Sequence, residues 1–347
     1  MTIPPTMRAL QLRRIDCLEE VELPVPRPQA DEILVRTSAT TICTSDLNDI
    51  HASPFGGTFP RVLGHEAAGI VAAVGDDVDG FAVGNSVAAH PVIPCGRCGS
   101  CRRGLRHLCD DMGHLALDRD GTFAEYFPIR ADRARVLPDG VDIAVGALLE
   151  PVAVCLEAVR RARIEPGDNV LVVGDGPFGI IIGRLCLRQH PGRAVFVGHH
   201  DFRLDQVPEA TRLNAKRVPD LPAAVFEASG DQGMDVAIVT AGTPEAARLC
   251  FDSVRPRGRI VVFSSIAEPV PIDLLRLQLR ELEILGSCND QELLDEALEC
   301  LSDPRLRLDS LITHRVPFGE WRRALTLASE RKEEALKVAI TFEEGTR

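Results

Sequence analysis

Aromatic residues are scarce in this 347-residue chain, with 1 Trp, 1 Tyr and 13 Phe. A groove that stacks nucleobases on successive rings is therefore not expected. Excess basic charge is absent too. The 51 acidic residues exceed the 39 basic ones, for a formal net charge of −12, the wrong sign for a phosphate backbone or an anionic membrane surface. No apolar run approaches the length of a membrane span, and residues 1–14 hold no apolar stretch of signal-peptide length. Internal repeats and low-complexity linkers are missing. The composition, 45% hydrophobic and 26% charged, is globular, and the length favours about two domains. The expectation is a cytoplasmic protein acting on a small molecule, without nucleic-acid or membrane partners.

Cysteine breaks the pattern of scarcity. There are 11, and in a chain without an export signal cysteines bind metal or react more often than they cross-link. Four fall close together as Cys95-x2-Cys98-x2-Cys101-x7-Cys109. Four thiolates in one loop close a tetrahedral Zn²⁺ site and leave no open position for chemistry; free or disulfide-paired cysteines are the alternative. Gly96, Gly99 and Gly104 let the loop turn back on itself, and Arg97, Arg102 and Arg103 offset thiolate charge. A second set is scattered: Cys43, His65, Glu66 and Glu150. These are zinc-type ligands, and three of them plus water make a catalytic site, but spacing alone does not bring them together. Cys17, Cys155, Cys186, Cys250, Cys288 and Cys300 have no metal spacing; Cys186 and Cys250 read as small buried apolar residues. His90, His107, His114, His190 and His314 read as structural, and the run 331–334 as a solvated helix face.

Short β segments broken by Gly and Pro occupy the first half, at 33–36, 69–75 and 85–89. They indicate a largely antiparallel β domain. Beyond residue 152, apolar runs at 169–173, 194–197, 235–239 and 259–263 alternate with helical spacers, the pattern of a parallel α/β sheet. The first of these runs enters Gly174-Asp175-Gly176-Pro177-Phe178-Gly179, and a helix is expected over 178–189. The letters G-x-G-x-x-G are weak alone. Between a strand and a helix they set helix N-terminal N–H groups against a pyrophosphate, with a packing turn as the alternative. Helical character returns at 291–302, and short β pieces follow at 311–317.

The segment Gly64-His65-Glu66-x2-Gly69-x5-Gly75-x2-Val78 is similar to the zinc signature of the medium-chain alcohol dehydrogenases. The four-cysteine loop, Leu149-Glu150-Pro151 and the glycine turn follow in that family's order and at its usual intervals. The resemblance spans essentially the whole chain, and Glu150, where some members carry cysteine, resembles the polyol (sorbitol) and threonine dehydrogenase branch. It implies an α/β fold: a GroES-like, mostly antiparallel β catalytic domain (1–151 and 289–347) interrupted by a doubly wound Rossmann cofactor domain (152–288), with a catalytic zinc in the cleft between them. By the same resemblance Cys43 and His65 ligate that zinc, Glu150 is the third ligand, and Glu66 approaches or replaces it. Ser45 passes the alcohol proton outward. Cys95, Cys98, Cys101 and Cys109 hold a structural zinc. Gly174, Gly176 and Gly179, with Pro177 and Phe178 in the same turn, face the cofactor pyrophosphate. The implied activity is hydride transfer between a secondary alcohol (polyol, sugar derivative or amino alcohol) and a nicotinamide, in a homodimer or homotetramer that extends its sheet through 259–264 and 283–287. Within the enzymes, the alternative is a broad-specificity primary-alcohol or aldehyde reductase. Outside them, it is a non-catalytic nucleotide-sensing protein, against which the intact Cys43, Ser45, His65, Glu66 and Glu150 set argues. Phe55, Phe59 and 287–289 are candidate pocket walls.

Two positions depart from the family pattern. Where many relatives carry histidine as outer proton acceptor, this chain has Asn48, which hydrogen-bonds but takes up no proton near neutral pH. Release through His51, or through the cofactor ribose and water, is expected instead. At the end of the second Rossmann strand, where an NAD enzyme places an acid against the ribose 2′-OH, alignment on Arg203-Leu204 puts Gly198. Losing that carboxylate removes repulsion toward a 2′-phosphate, and His199, His200 or Arg203 is placed to pair with one, so NADP is favoured over NAD. A register shift would return Asp201 to the site.

Overall fold

The computed structural model describes residues 2–54, 56–330 and 334–342; Phe55 and most of the 331–334 run lie outside them. The chain divides into two compact units, one of residues 1–153 and 291–347, the other of residues 154–290.

In the first unit the strand Glu32–Thr41 is the hub of a seven-stranded sheet, pairing antiparallel with Glu66–Val74, Tyr126–Arg130 and Lys337–Thr341. The sheet runs Ala134–Val136, Ser86–Ala89, Glu66–Val74, Glu32–Thr41, Lys337–Thr341, Ile312–Pro317. Side chains alternate across a strand, and the hub uses both faces. Ile33 and Val35 join a core with Val71, Val87, Phe127 and Ile129. Leu34 turns the other way, into a core with Leu10, Leu12, Phe123, Trp321 and Ile340. A three-stranded antiparallel sheet (Cys17–Pro24, Thr6–Arg14, Arg61–Val62) supports that second core.

The second unit is a six-stranded parallel sheet in the order Thr211–Asn214, Arg193–Gly198, Asn169–Val173, Met234–Val239, Val254–Val262, Glu283–Gly286. Asn169–Val173 and Met234–Val239 are buried at every residue, as central parallel strands covered on both faces must be. In sequence numbers the order is 3-2-1-4-5-6, so the topology reverses between the first and fourth strands, where a doubly wound sheet opens a ligand crevice at its carboxyl ends. The expected α/β architecture, a GroES-like part and a Rossmann part, is the one found. Boundaries moved slightly. The helix expected at 178–189 is Pro177–Leu187, that at 291–302 is Leu294–Leu301, and the run at 259–263 belongs to a strand that begins at Val254. The edge strand Thr211–Asn214 carries Arg212 and no apolar run, which is why periodicity overlooked it. No helix among the described residues is long and apolar enough to cross a membrane, and no disulfide joins them.

Candidate active site

Helix Thr44–His51 opens at Cys43, and Asp46 closes the cap by accepting from the Cys43 N–H at 2.9 Å. A carboxylate three residues into a helix satisfies an otherwise orphaned donor. Here it does more. Asp46 Oδ1 also accepts from the Gly64 N–H and from His65 Nδ1, each at 3.1 Å. An ionised carboxylate only accepts, so Nδ1 carries the proton and Nε2 is left for a metal. Burial pushes the Asp46 carboxyl up. The His65 charge and hydrogen bond, then the Cys43 and Gly64 N–H groups, outweigh burial and hold it below its ordinary value. Burial alone would lower the His65 imidazole; Asp46 first, then Cys43, carries it well above its ordinary value. Ser45 Oγ lies 3.3 Å from His65 Nε2.

The ligand atoms of Cys43, His65 and Glu66, all buried, lie within 4.8 Å of one another. That spacing suits one tetrahedral ion with ligands at about 2.0–2.3 Å. Glu66 is also claimed from behind. Lys337 Nζ donates to both of its carboxylate oxygens, and the Thr41 hydroxyl donates to Oε2. Glu150, in the first turn of Leu149–Ala162, is outside that cluster, although its charge reaches Lys337.

The four-cysteine loop closes on itself, its sulfurs also within 4.8 Å of one another. Backbone donors point inward. The Cys98 N–H reaches Cys95 Sγ at 3.4 Å, the Cys101 N–H reaches Cys98 Sγ at 3.3 Å, and the Cys95 N–H reaches Cys109 Sγ at 3.3 Å. The Arg97 N–H foremost draws the Cys95 thiol down to about 6. Such a loop suits thiolates around a metal.

The chain matches the alcohol dehydrogenase GroES-like domain over residues 29–139 and the zinc-binding dehydrogenase domain over residues 185–303. It is 30% identical over 346 residues to the sorbitol dehydrogenase of Bacillus subtilis (strain 168), covering 98% of each chain. This chain is a zinc-dependent medium-chain alcohol dehydrogenase. The dehydrogenase also superposes with a TM-score of 0.90 on a zinc-binding dehydrogenase from Sinorhizobium meliloti 1021 bound to NADP, at 26% identity over 97% of this chain and 99% of that one. An alcohol dehydrogenase of Escherichia coli CFT073 complexed with NADH is 27% identical, again with a TM-score of 0.90, over 98% and 100%.

In the dehydrogenase's second unit, Gly174 follows the first strand with φ +130°, a conformation L side chains rarely adopt, and a Cβ on Gly179 would meet the Gly174 carbonyl oxygen at 1.9 Å. Positions 174 and 179 therefore demand glycine. Gly176 caps helix Pro177–Leu187 and a Cβ there would meet nothing within 4 Å, leaving its backbone open to a phosphate. Phe178 packs tilted against Phe263, 5.5 Å between centroids. Thr240, after the fourth strand, pins the turn by donating to the Val173 and Gly174 carbonyls at 3.0 and 3.1 Å; no sequence motif marked it.

Several expected groups are not brought where they were expected. His51 is 72% exposed and bonds Asp16 Oδ1 at 2.7 Å, and six residues along a helix turn it away from Ser45. Asn48 is exposed on the same helix. Arg203 is buried, with its guanidinium over the Phe202 ring. His200 Nδ1 is taken by Asp175, while His199 is exposed. Asp201 bonds Asn214 and Arg217. Phe59 lies under the Arg61 guanidinium. Conversely, His114, read as structural, stands with its ring 5.9 Å from His65 and its Nδ1 bonded to the Leu115 carbonyl. Burial, then the charge of His65, pushes its imidazole down to about 4.

Proposed function

We propose that this dehydrogenase interconverts a secondary alcohol and a ketone, taking a polyol, sugar derivative or amino alcohol as substrate and a nicotinamide as hydride carrier. The observation that carries this reading is the buried Cys43, His65 and Glu66 cluster oriented by Asp46, in a chain aligned end to end with a sorbitol dehydrogenase. A zinc ion there supplies Lewis acidity toward the alcohol oxygen, and a nicotinamide at the glycine turn supplies the hydride acceptor.

The chain's own groups do the rest. Asp46 fixes the tautomer of His65. The Ser45 hydroxyl takes the substrate's proton and passes it outward through water, since Asn48 has no basic atom to hold it. Cys43 and His65 would hold the zinc with Glu150 as third ligand, and Glu66, which Lys337 and Thr41 hold within ligand distance of both, would approach or replace it. Cys95, Cys98, Cys101 and Cys109 hold a second, closed zinc, giving two per chain. Their thiols must stay reduced, which fits the cytoplasm. The unit of residues 1–153 and 291–347 serves as the catalytic domain and 154–290 as the cofactor domain. A homodimer or tetramer is the fitting assembly, because Glu283–Gly286 ends the sheet at an open edge and Leu274, Leu275 and Leu279 stand exposed near it in sequence. Read from Gly198 alone, the cofactor is NADP; Asp175, seated on the same backbone, reverses the charge a 2′-phosphate would meet.

A screen of polyols, inositols, sugar alcohols and hydroxy amino acids with each nicotinamide tests the substrate class. Turnover confined to primary alcohols or aldehydes would instead select the reductase reading. Metal analysis tests the zinc sites, with about two zinc per chain expected and about one, with no turnover of any alcohol, pointing to a nucleotide sensor.

A further inference from the structure

The strand Arg193–Gly198 ends on a residue with no side chain, at the position where a Rossmann domain places the acid that holds the adenosine ribose. The space beside it is filled. A Cβ on Gly198 would lie 2.4 Å from the Asp175 Cβ and 2.8 Å from Asp175 Oδ2. An acid at 198 and the acid at 175 therefore exclude each other, and glycine stands at 198 because the glycine turn sends its own carboxylate there.

That carboxylate is anchored. Asp175 Oδ2 accepts from the His199 N–H at 2.8 Å, the His200 N–H at 2.8 Å and His200 Nδ1 at 3.0 Å. Oδ1 has no hydrogen-bond partner among the described residues and is not among the buried unpartnered atoms, so it faces solvent. Burial pushes the Asp175 carboxyl up, but the His199 N–H, the His200 imidazole and the His200 N–H outweigh it and hold the group below its ordinary value, so it is ionised at working pH. Of the side chains placed to welcome a 2′-phosphate, His199 stands exposed, and the others are occupied or hidden. Arg203 is 3% exposed, Arg217 pairs with Asp201, and His200 Nδ1 and both backbone donors after the strand are spent on Asp175.

We propose that Asp175 is the specificity-determining residue for the cofactor and selects NAD over NADP: its Oδ1 accepts the hydrogen bond of the ribose 2′-OH, and its charge repels a 2′-phosphate. The inference rests on the nicotinamide-dependent dehydrogenase reading above. A carboxylate supplied from the first glycine turn thus replaces the one absent from the second strand, with the same discriminating chemistry.

Binding decides it without turnover. NADH and NADPH are titrated by calorimetry into the zinc-loaded protein and into D175N, whose amide keeps the shape and removes the charge. The wild-type protein is expected to bind NADH at least about tenfold more tightly than NADPH, the worth of one hydrogen bond to a charged group. D175N should shrink that ratio by about the same factor, with part of the change appearing as tighter NADPH binding. Tighter binding of NADPH by the wild-type protein overturns the proposal, whatever the variant does. So does an unchanged ratio in a D175N protein that still melts cooperatively. Binding of neither nicotinamide would overturn the dehydrogenase reading itself, and the proposal with it.

Discussion

Lys337 Nζ stands 2.5 Å from both carboxylate oxygens of Glu66, and neither side chain is more than 2% exposed. The pair reaches across the hub strand Glu32–Thr41, since the two residues come from the strands on either side of it. Burial alone would lower the lysine; Glu66 first, then Cys43, raises it above its ordinary value, so the ammonium form persists despite burial. K337M should strand a buried anion and destabilise the first unit by about 3–5 kcal/mol. The double variant K337M/E66Q should recover much of that loss, a non-additivity that denaturant melts can read directly.

The proton path separates two residues of one helix. S45A should lower kcat by about a hundredfold or more with zinc content unchanged. H51A should leave both kcat and its pH profile within about twofold, because removing an exposed partner of Asp16 touches no proton carrier. A collapse of the profile in H51A would reinstate it as the outlet.

The two metal clusters should empty independently. C101S is expected to lower the zinc content by about one ion per chain and to reduce thermal stability. C43S should also lose about one ion but leave the four-cysteine loop resistant to thiol reagents. Atomic emission on dialysed protein, with thiol counting before and after denaturation, checks both.

Asp175 carries a pH signature in stability as well as in cofactor choice. Its carboxyl is depressed in the folded state, so its contribution is fully present above the unfolded value of about 3.9 and is lost as pH falls through the folded one. Wild type should therefore exceed D175N by about 1–2 kcal/mol near neutrality. Unfolding titrations should show that gap closing below about pH 4.

Legibility from sequence followed the distance over which each feature is built. The cysteine loop and the glycine turn could be read because fifteen and six consecutive residues contain them. Cys43, His65 and Glu66 needed a family resemblance, since nothing in their spacing reveals that Gly64 and Cys43 share one carboxylate. Lys337 was invisible, being 271 residues from its partner. His114 carried no spacing signal; the pairing of Val92–Ile93 with Gly113–His114 fixes its backbone, and its ring ends beside His65. Gly198 shows the other failure. Its missing carboxylate was correctly noticed, but a sequence cannot say whether a gap is empty or filled from elsewhere.

The strand Lys337–Thr341, inserted between the hub and Ile312–Pro317, also orders events during synthesis. All six strands of the second unit lie between residues 169 and 286, so that sheet can complete itself while the first unit still lacks a central strand. Until residue 337 has emerged, Glu66 has no counter-charge and one side of the hub is an open edge. The nascent first unit thus spends most of its translation as an unclosed sheet, and its docking with the strand Lys337–Thr341, a contact of very long sequence separation, is the step on which slow folding and aggregation should converge.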